Sequence, residues 1–177
     1  MKVRAIQSVA VMTGGGDCPG LNAVIRAVTK TAISKFGLEV WGIEDGYLGL
    51  IEDRVHVISY NEVSNILTVG GTILGSCNVA NPFNYQKVGN SNQASDVSCN
   101  CIRTLNSHGI DALICIGGDG TMTSAAGFAK KGVNVMGVPK TIDNDLYGTD
   151  ITFGFNTAVT TATEAIDKIH TTASSHH

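Results

Sequence analysis

Four residues in the last third of the chain have side chains suited to chemistry on phosphate: Asp119, Lys140, Asp143 and Asp145. They fall in two clusters, Gly117-Gly118-Asp119-Gly120-Thr121 and Pro139-Lys140-Thr141-Ile142-Asp143-Asn144-Asp145, each directly after a short apolar run, Ala112 to Ile116 and Val133 to Val138. Carboxylates can hold a divalent cation or take a proton, and a lysine can neutralise phosphate oxygen. A lone aspartate after a strand is most often a helix or turn cap. Three at two neighbouring strand ends, beside a lysine and glycines, read instead as a phosphate and metal site. Such groups must be carried by an architecture that gathers strand ends, and in open α/β sheets ligands bind outside the carboxyl ends of the strands.

The rest of the chain reads as that architecture. Ala5 to Met12 is a strand-like run that stops at Gly14-Gly15-Gly16. Pro19 suits a first helical turn, and Leu21, Val24, Ile25, Val28, Ala32, Ile33 and Phe36 recur at the spacing of one buried helical face. The amino terminus of that helix would aim free N–H groups at the glycine loop, a ready anion site. The loop is neither the G-x-G-x-x-G dinucleotide fingerprint nor a Walker loop, since no Gly-Lys-Ser/Thr follows. Leu38 to Glu44 predicts a second strand, with Tyr47 just past its end, and Val55 to Ile58 a third. Ser59 and Glu62 have capping-box spacing ahead of a brief helix through Val63, Ile66 and Leu67. Cys77 to Asn100, rich in Asn, Ser and Gly, carries little periodicity. A helix is expected near Ile102 to His108, stopped by Gly109, and another through Met122, Ala125, Ala126, Phe128 and Ala129. After a bend or short strand over Tyr147 to Phe155, Asn156 is expected to cap a final helix with Val159, Ala162, Ile166 and Ile169 on one side. Alternating strands and helices with continuous apolar strands predict a doubly wound, mostly parallel α/β sheet.

Bulk properties agree. The 177 residues can bury a real core, 43% are hydrophobic, and the 21 glycines suit many strand-to-helix turns. A net charge of −3 argues against nucleic acid or an anionic membrane as a partner, and no run reaches spanning length. Five scattered cysteines read as reduced thiols in a cytoplasmic setting. Cys99 and Cys101 form a C-x-C without a second pair, so packing or surface thiols outweigh a zinc site.

The two aspartate clusters together resemble the 6-phosphofructokinase family. Thr13-Gly14-Gly15-Gly16-Asp17-Cys18-Pro19-Gly20-Leu21-Asn22 is similar to the family's first phosphate loop, and Asp45-Gly46-Tyr47-Leu48-Gly49-Leu50 and Gly70-Gly71-Thr72-Ile73-Leu74-Gly75-Ser76 follow in the family's order. NAD kinases and diacylglycerol-type lipid kinases share a Gly-Gly-Asp-Gly-Thr turn but lack the sequence from Pro139 to Asp145. The resemblance implies a Rossmann-like first domain over residues 1–154 and the start of a sugar-phosphate domain over 155–177, truncated before most of that domain. It implies transfer of the γ-phosphoryl group of ATP to the 1-hydroxyl of fructose 6-phosphate, with Mg²⁺, in a longer chain assembled as a homotetramer or homodimer.

By the same resemblance Asp119 is the magnesium carboxylate, Asp143 the catalytic base and Asp145 a second site carboxylate. Thr141 would donate its hydroxyl to the transferring group. Gly15, Gly118, Gly120 and Thr121 would contact the nucleotide, and Tyr47 would either meet adenine or brace its loop. Asn78 stands where the family has an arginine that bridges donor phosphates, and an amide lacks the charged fork of a guanidinium. That departure and the short length keep open a non-catalytic nucleotide-binding module. For the donor, Gly120 leaves room that an aspartate fills in pyrophosphate-dependent members, whereas Lys140 occurs in those members and in some ATP-dependent ones. Steric exclusion is the harder constraint and favours ATP, with pyrophosphate the alternative.

Overall fold

β1 (Ser8–Thr13) is buried along its whole length, and its side chains alternate between two separate cores. Val9 and Val11 join one cluster with Leu21, Ile25, Val40 and Ile116. Ala10 and Met12 join the other with Tyr47, Leu50, Leu105, Cys115 and Phe128. A strand with a period of two that is buried at every position is therefore covered on both faces. The computed structural model describes residues 5–86 and 94–176.

The elements follow in the order β1, α1 (Leu21–Phe36), β2 (Glu39–Ile43), α2 (Tyr47–Glu52), β3 (Val55–Val57), α3 (Ser98–Ser107), β4 (Ala112–Gly117), α4 (Asp119–Lys130), β5 (Asn134–Pro139) and α5 (Phe155–Ser175). The five strands lie in the order β3-β2-β1-β4-β5, parallel except for the antiparallel β2–β3 pair. α1 packs on one face of the sheet, and α2, α3 and α4 serve the other. The chain steps from β1 outward to β2 and later returns to β4 on the opposite side of β1. The carboxyl ends of β1 and β4 thus flank a topological switch point, the crevice where such sheets bind ligands.

Several local expectations are corrected. α1 begins at Leu21 after Gly20 in a left-handed conformation, so Pro19 precedes the helix instead of opening it. Its far end closes on Gly37, whose N–H reaches the carbonyl of Ile33 while that of Leu38 reaches Ala32. The Ser59–Glu62 box forms, with the Ser59 amide on Glu62 at 2.7 Å and the Glu62 amide on the Ser59 hydroxyl at 3.3 Å, but only turns follow it. A cap satisfies the first N–H groups without supplying enough propagating turns. α3 starts four residues earlier than its periodicity signals, because Asp96 receives the Ser98 amide at 2.8 Å. The final helix is preceded by Gly154, so Asn156 lies inside its first turn and caps nothing. β5 pairs with β4 as expected but is an edge strand among the described residues, with Met136 64% exposed. α5 has no buried residue, and its apolar positions Val159, Ile166 and Ile169 face outward. Cys101 lies in the core and Cys99 on the surface, both as free thiols. No described helix is long and apolar enough to cross a membrane.

Candidate active site

Two glycine turns meet at the switch point because one threonine locks them together. Gly14 donates its amide to the Ile116 carbonyl at 2.8 Å, tying the end of β1 to that of β4. Thr121, in the first turn of α4, packs its side chain over both turns: a Cβ on Gly14 would come within 2.6 Å of its Oγ1, and one on Gly117 would meet the same atom closer still. Only hydrogen fits at either position. Gly15 follows with φ of 79°, a conformation that side chains disfavour.

The turns enclose a cleft of about 330 Å³ lined by Gly15, Tyr47, Gly118, Asp119, Gly120 and Thr121 among others. These are six of the seven residues expected to contact the nucleotide. The seventh, Lys140, sits beneath: it is 4% exposed, and its ammonium donates to the Gly16 carbonyl. Its Nζ lies 3.8 Å from the position of a Cβ on Gly15, so a fixed positive charge underlies the glycine loop. The Lys140 amide donates to the Gly117 carbonyl at 2.9 Å, which carries the β4–β5 register into the second cluster.

That cluster is cross-braced. The Thr141 hydroxyl donates to Asp145 at 3.0 Å and accepts the Asp143 amide at 3.2 Å. Asn144 takes a positive φ of 54°, tolerated by a short amide side chain, and its Oδ1 accepts the Thr152 amide at 2.8 Å. The buried Thr152 hydroxyl donates to the Thr141 carbonyl at 2.8 Å. Asp143 and Asp145 remain exposed, and the Asp143 carboxylate accepts no hydrogen bond among the described residues. Lys140 and Asp143 of the second cluster and Asp17 of the first glycine loop all act electrostatically on the thiol of Cys18, which places that loop beside the second cluster. Burial pushes that thiol upward from its ordinary value, Lys140 opposes the shift and Asp17 and Asp143 add to it, so Cys18 is a protonated packing group.

Tyr47 opens α2 and is only 4% exposed. Its hydroxyl donates to the Thr121 carbonyl at 2.8 Å, and its ring stacks obliquely on Phe128 at 5.7 Å. Burial, with Cys115 beside it, pushes the phenol well above the usual tyrosine range. It floors the cleft and braces α4, with little ring face left for a base.

The sequence reading missed Cys77, Ala80, Asn81 and Ser124, which also line the cleft, while Asn78, flagged as a departure, lines it too. Residues 77–81 carry no periodic signal; only Ser124, one helical turn past Gly120 and Thr121, could have been found by helical spacing. Asp119 is exposed on the first turn of α4 and has no side-chain partner among the described residues. No group of three His, Cys, Asp or Glu capable of caging a metal occurs among them. One unengaged carboxylate beside a phosphate-sized cleft suits Mg²⁺, which binds few protein oxygens and completes its shell with phosphate and water.

The phosphofructokinase family model matches residues 8–177. A Clostridium perfringens protein named ATP-dependent 6-phosphofructokinase 2 is 56% identical over 99% of this chain and 48% of its own length. A Streptomyces coelicolor protein, also named ATP-dependent 6-phosphofructokinase 2, is 51% identical over 95% of this chain and 46% of its own. The chain therefore spans about half the length of the curated relatives it matches. Among solved structures, phosphofructokinase from Saccharomyces cerevisiae superposes with a TM-score of 0.80 at 31% identity, covering 96% of this chain and 25% of that one. With the family model spanning both glycine turns and both aspartate clusters, the chain belongs to the phosphofructokinase family.

Proposed function

We propose that this chain supplies the nucleotide-binding part of an ATP-dependent 6-phosphofructokinase. The reaction is transfer of the γ-phosphoryl group of ATP to the 1-hydroxyl of fructose 6-phosphate. The observation that carries the reading is the convergence of Gly15, Gly118, Asp119, Gly120 and Thr121 on one cleft at the sheet's switch point.

In this reading the amides around Gly15 and Gly118 to Thr121 receive the donor phosphates, and the buried Lys140 ammonium adds the fixed charge that Asn78 cannot provide. The Asp143 carboxylate accepts the proton of the sugar 1-hydroxyl as that oxygen bonds to the γ-phosphorus and the bridging oxygen leaves with ADP. Thr141 holds Asp145 and the Asp143 backbone in register, and its hydroxyl turns from Asp145 to the transferring group when substrate is present. Asp119 would hold Mg²⁺, which would supply neutralisation of charge on the donor phosphates. Gly120 lines the cleft, and a Cβ there would meet nothing within 4 Å, which supports ATP over pyrophosphate. Lys140 supports pyrophosphate as the second reading.

The domain boundary belongs to the same proposal: residues 1–154 form the nucleotide domain, and α5, with no buried residue, opens a sugar-phosphate domain that a longer chain completes. That longer enzyme assembles as a homotetramer or homodimer, and five free thiols suit a cytoplasmic location. The test is an assay for fructose 1,6-bisphosphate in the longer enzyme bearing this sequence, with ATP and pyrophosphate compared as donors. Product with ATP, reduced at least tenfold by Lys140→Met, is expected. Faster turnover with pyrophosphate overturns the donor assignment, and no product with either overturns the enzymatic reading in favour of a binding module.

A further inference from the structure

Two buried polar side chains outside the cleft spend their hydrogen bonds on one loop. Thr13, at the carboxyl end of β1, is 0% exposed, and Asn22, in the first turn of α1, is 1% exposed. The Thr13 hydroxyl donates to the Gly75 carbonyl at 2.6 Å. With its single proton so committed, it accepts from the Thr72 hydroxyl at 2.9 Å, and Thr72 Oγ1 in turn accepts the Leu74 amide at 3.2 Å. Asn22 uses both ends of its amide: Nδ2 donates to the carbonyls of Val69 and Gly70 at 3.0 and 3.2 Å, and Oδ1 accepts the Ile73 amide at 2.8 Å. The loop has no strand or helix of its own between residues 69 and 78, so these side chains replace a ladder.

The far end of the same loop reaches the cleft. The Cys77 carbonyl accepts the Gly15 amide at 3.2 Å, and Cys77 and Asn78 line the cleft wall. We infer that Thr13 and Asn22 are positioning residues for the nucleotide: they hold loop 69–78 against the end of β1 so that Cys77 and Asn78 form a fixed wall of the cleft. This rests on the nucleotide reading of that cleft. Neither residue lines the cleft, and their effect is transmitted through loop backbone. A wall that must be ordered at the moment of binding costs affinity, and pre-fixing it removes that cost.

The test uses Thr13→Val, which keeps the volume of a buried strand residue and deletes only the hydroxyl, and Thr13→Ser, which restores it. Amide hydrogen exchange of Leu74 and Gly75 in this chain reads the anchoring without any ligand, and titration with Mg·ATP reads its consequence. The expected result is at least tenfold faster exchange at both amides and about tenfold weaker Mg·ATP binding in Thr13→Val, the scale of one lost buried hydrogen bond with its partner left unpaired. Thr13→Ser should lie within about threefold of wild type on both measures. Unchanged exchange in Thr13→Val overturns the inference, as does faster exchange with unchanged affinity. If Thr13→Val does not fold, Thr72→Val, which breaks the same relay from a partly exposed site, is read by the same criteria. Wild-type chain without measurable Mg·ATP affinity overturns the cleft reading itself and the positioning role with it, and exchange alone then reports whether the loop is anchored.

Discussion

Placing a carboxylate at position 120 should separate nucleotide affinity from fold stability. Gly120 is the second residue of α4, and a Cβ built on it meets nothing within 4 Å. Gly120→Ala therefore adds no clash, and it should stabilise the helix by about 0.5–1 kcal/mol from helix propensity alone. Gly120→Asp should also fold at least as well as wild type, because a negative charge in the first turn complements the helix dipole. In the cleft the effect reverses. A carboxylate about 5 Å from a donor phosphate, at an effective dielectric of about 20, is repelled by about 3 kcal/mol, on the order of a hundredfold in affinity. Thermal melts and Mg·ATP titrations of wild type, Gly120→Ala and Gly120→Asp at about 0.1 M salt, where screening is modest over such a distance, give the comparison. The expected pattern is rising or level melting temperature in both variants, near wild-type affinity for alanine and a large loss for aspartate. Gly120→Asp binding within about threefold of wild type would refute the placement of donor phosphate beside this turn.

Other expectations concern the groups that hold the site together. Gly14→Ala should destabilise the chain by about 1–3 kcal/mol through overpacking on Thr121, and Thr121→Ala in the same chain should recover most of it, since it removes the two nearest atoms, Oγ1 at 2.6 Å and Cγ2 at 3.1 Å. Chemical denaturation of the double-mutant cycle measures this; strict additivity would exclude the contact. The raised value of Tyr47 means the folded state holds the phenolic proton more tightly than the unfolded chain. Its contribution is complete below the unfolded value of about 10 and is lost as pH rises beyond it. Urea melts from pH 7 to 11 should therefore show Tyr47→Phe about 1 kcal/mol less stable at neutral pH but with a shallower decline above pH 10. Parallel declines would contradict the buried hydrogen bond to Thr121. Disulfide-exchange labelling at pH 8 should modify Cys77 and Cys99 quickly and leave three thiols silent until urea is added: Cys18, and Cys101 and Cys115, whose values burial pushes up to about 12. Fast labelling of Cys115 would show that β4 is accessible.

What sequence alone determined was the sheet and the identity of the chemical groups. The strand runs Val9 to Met12 and Leu113 to Ile116 are apolar at every position, and that forces cover on both faces and hence a parallel, doubly wound arrangement. Glycine runs and aspartates directly after such strands mark where the backbone must turn beside a ligand, because both signals are local. Tertiary structure decided everything that depends on a partner distant in the chain. Tyr47 became a buried brace because Phe128 and the Thr121 carbonyl lie across the core from it. Lys140 went beneath the glycine loop because Gly16, 124 residues earlier, offers its carbonyl there. The Ser59–Glu62 box formed without its helix although Val63 and Ile66 are buried in the core, since a cap and two buried side chains do not supply a run of propagating helical turns. Thr13 and Asn22 bound the first glycine loop in the sequence, but their hold on residues 69–75 exists only after α1, β1 and that loop have packed together. Propensity and spacing act over a few residues, whereas the hydrogen bonds from Asn22 to Val69 and from Lys140 to Gly16 span 47 and 124.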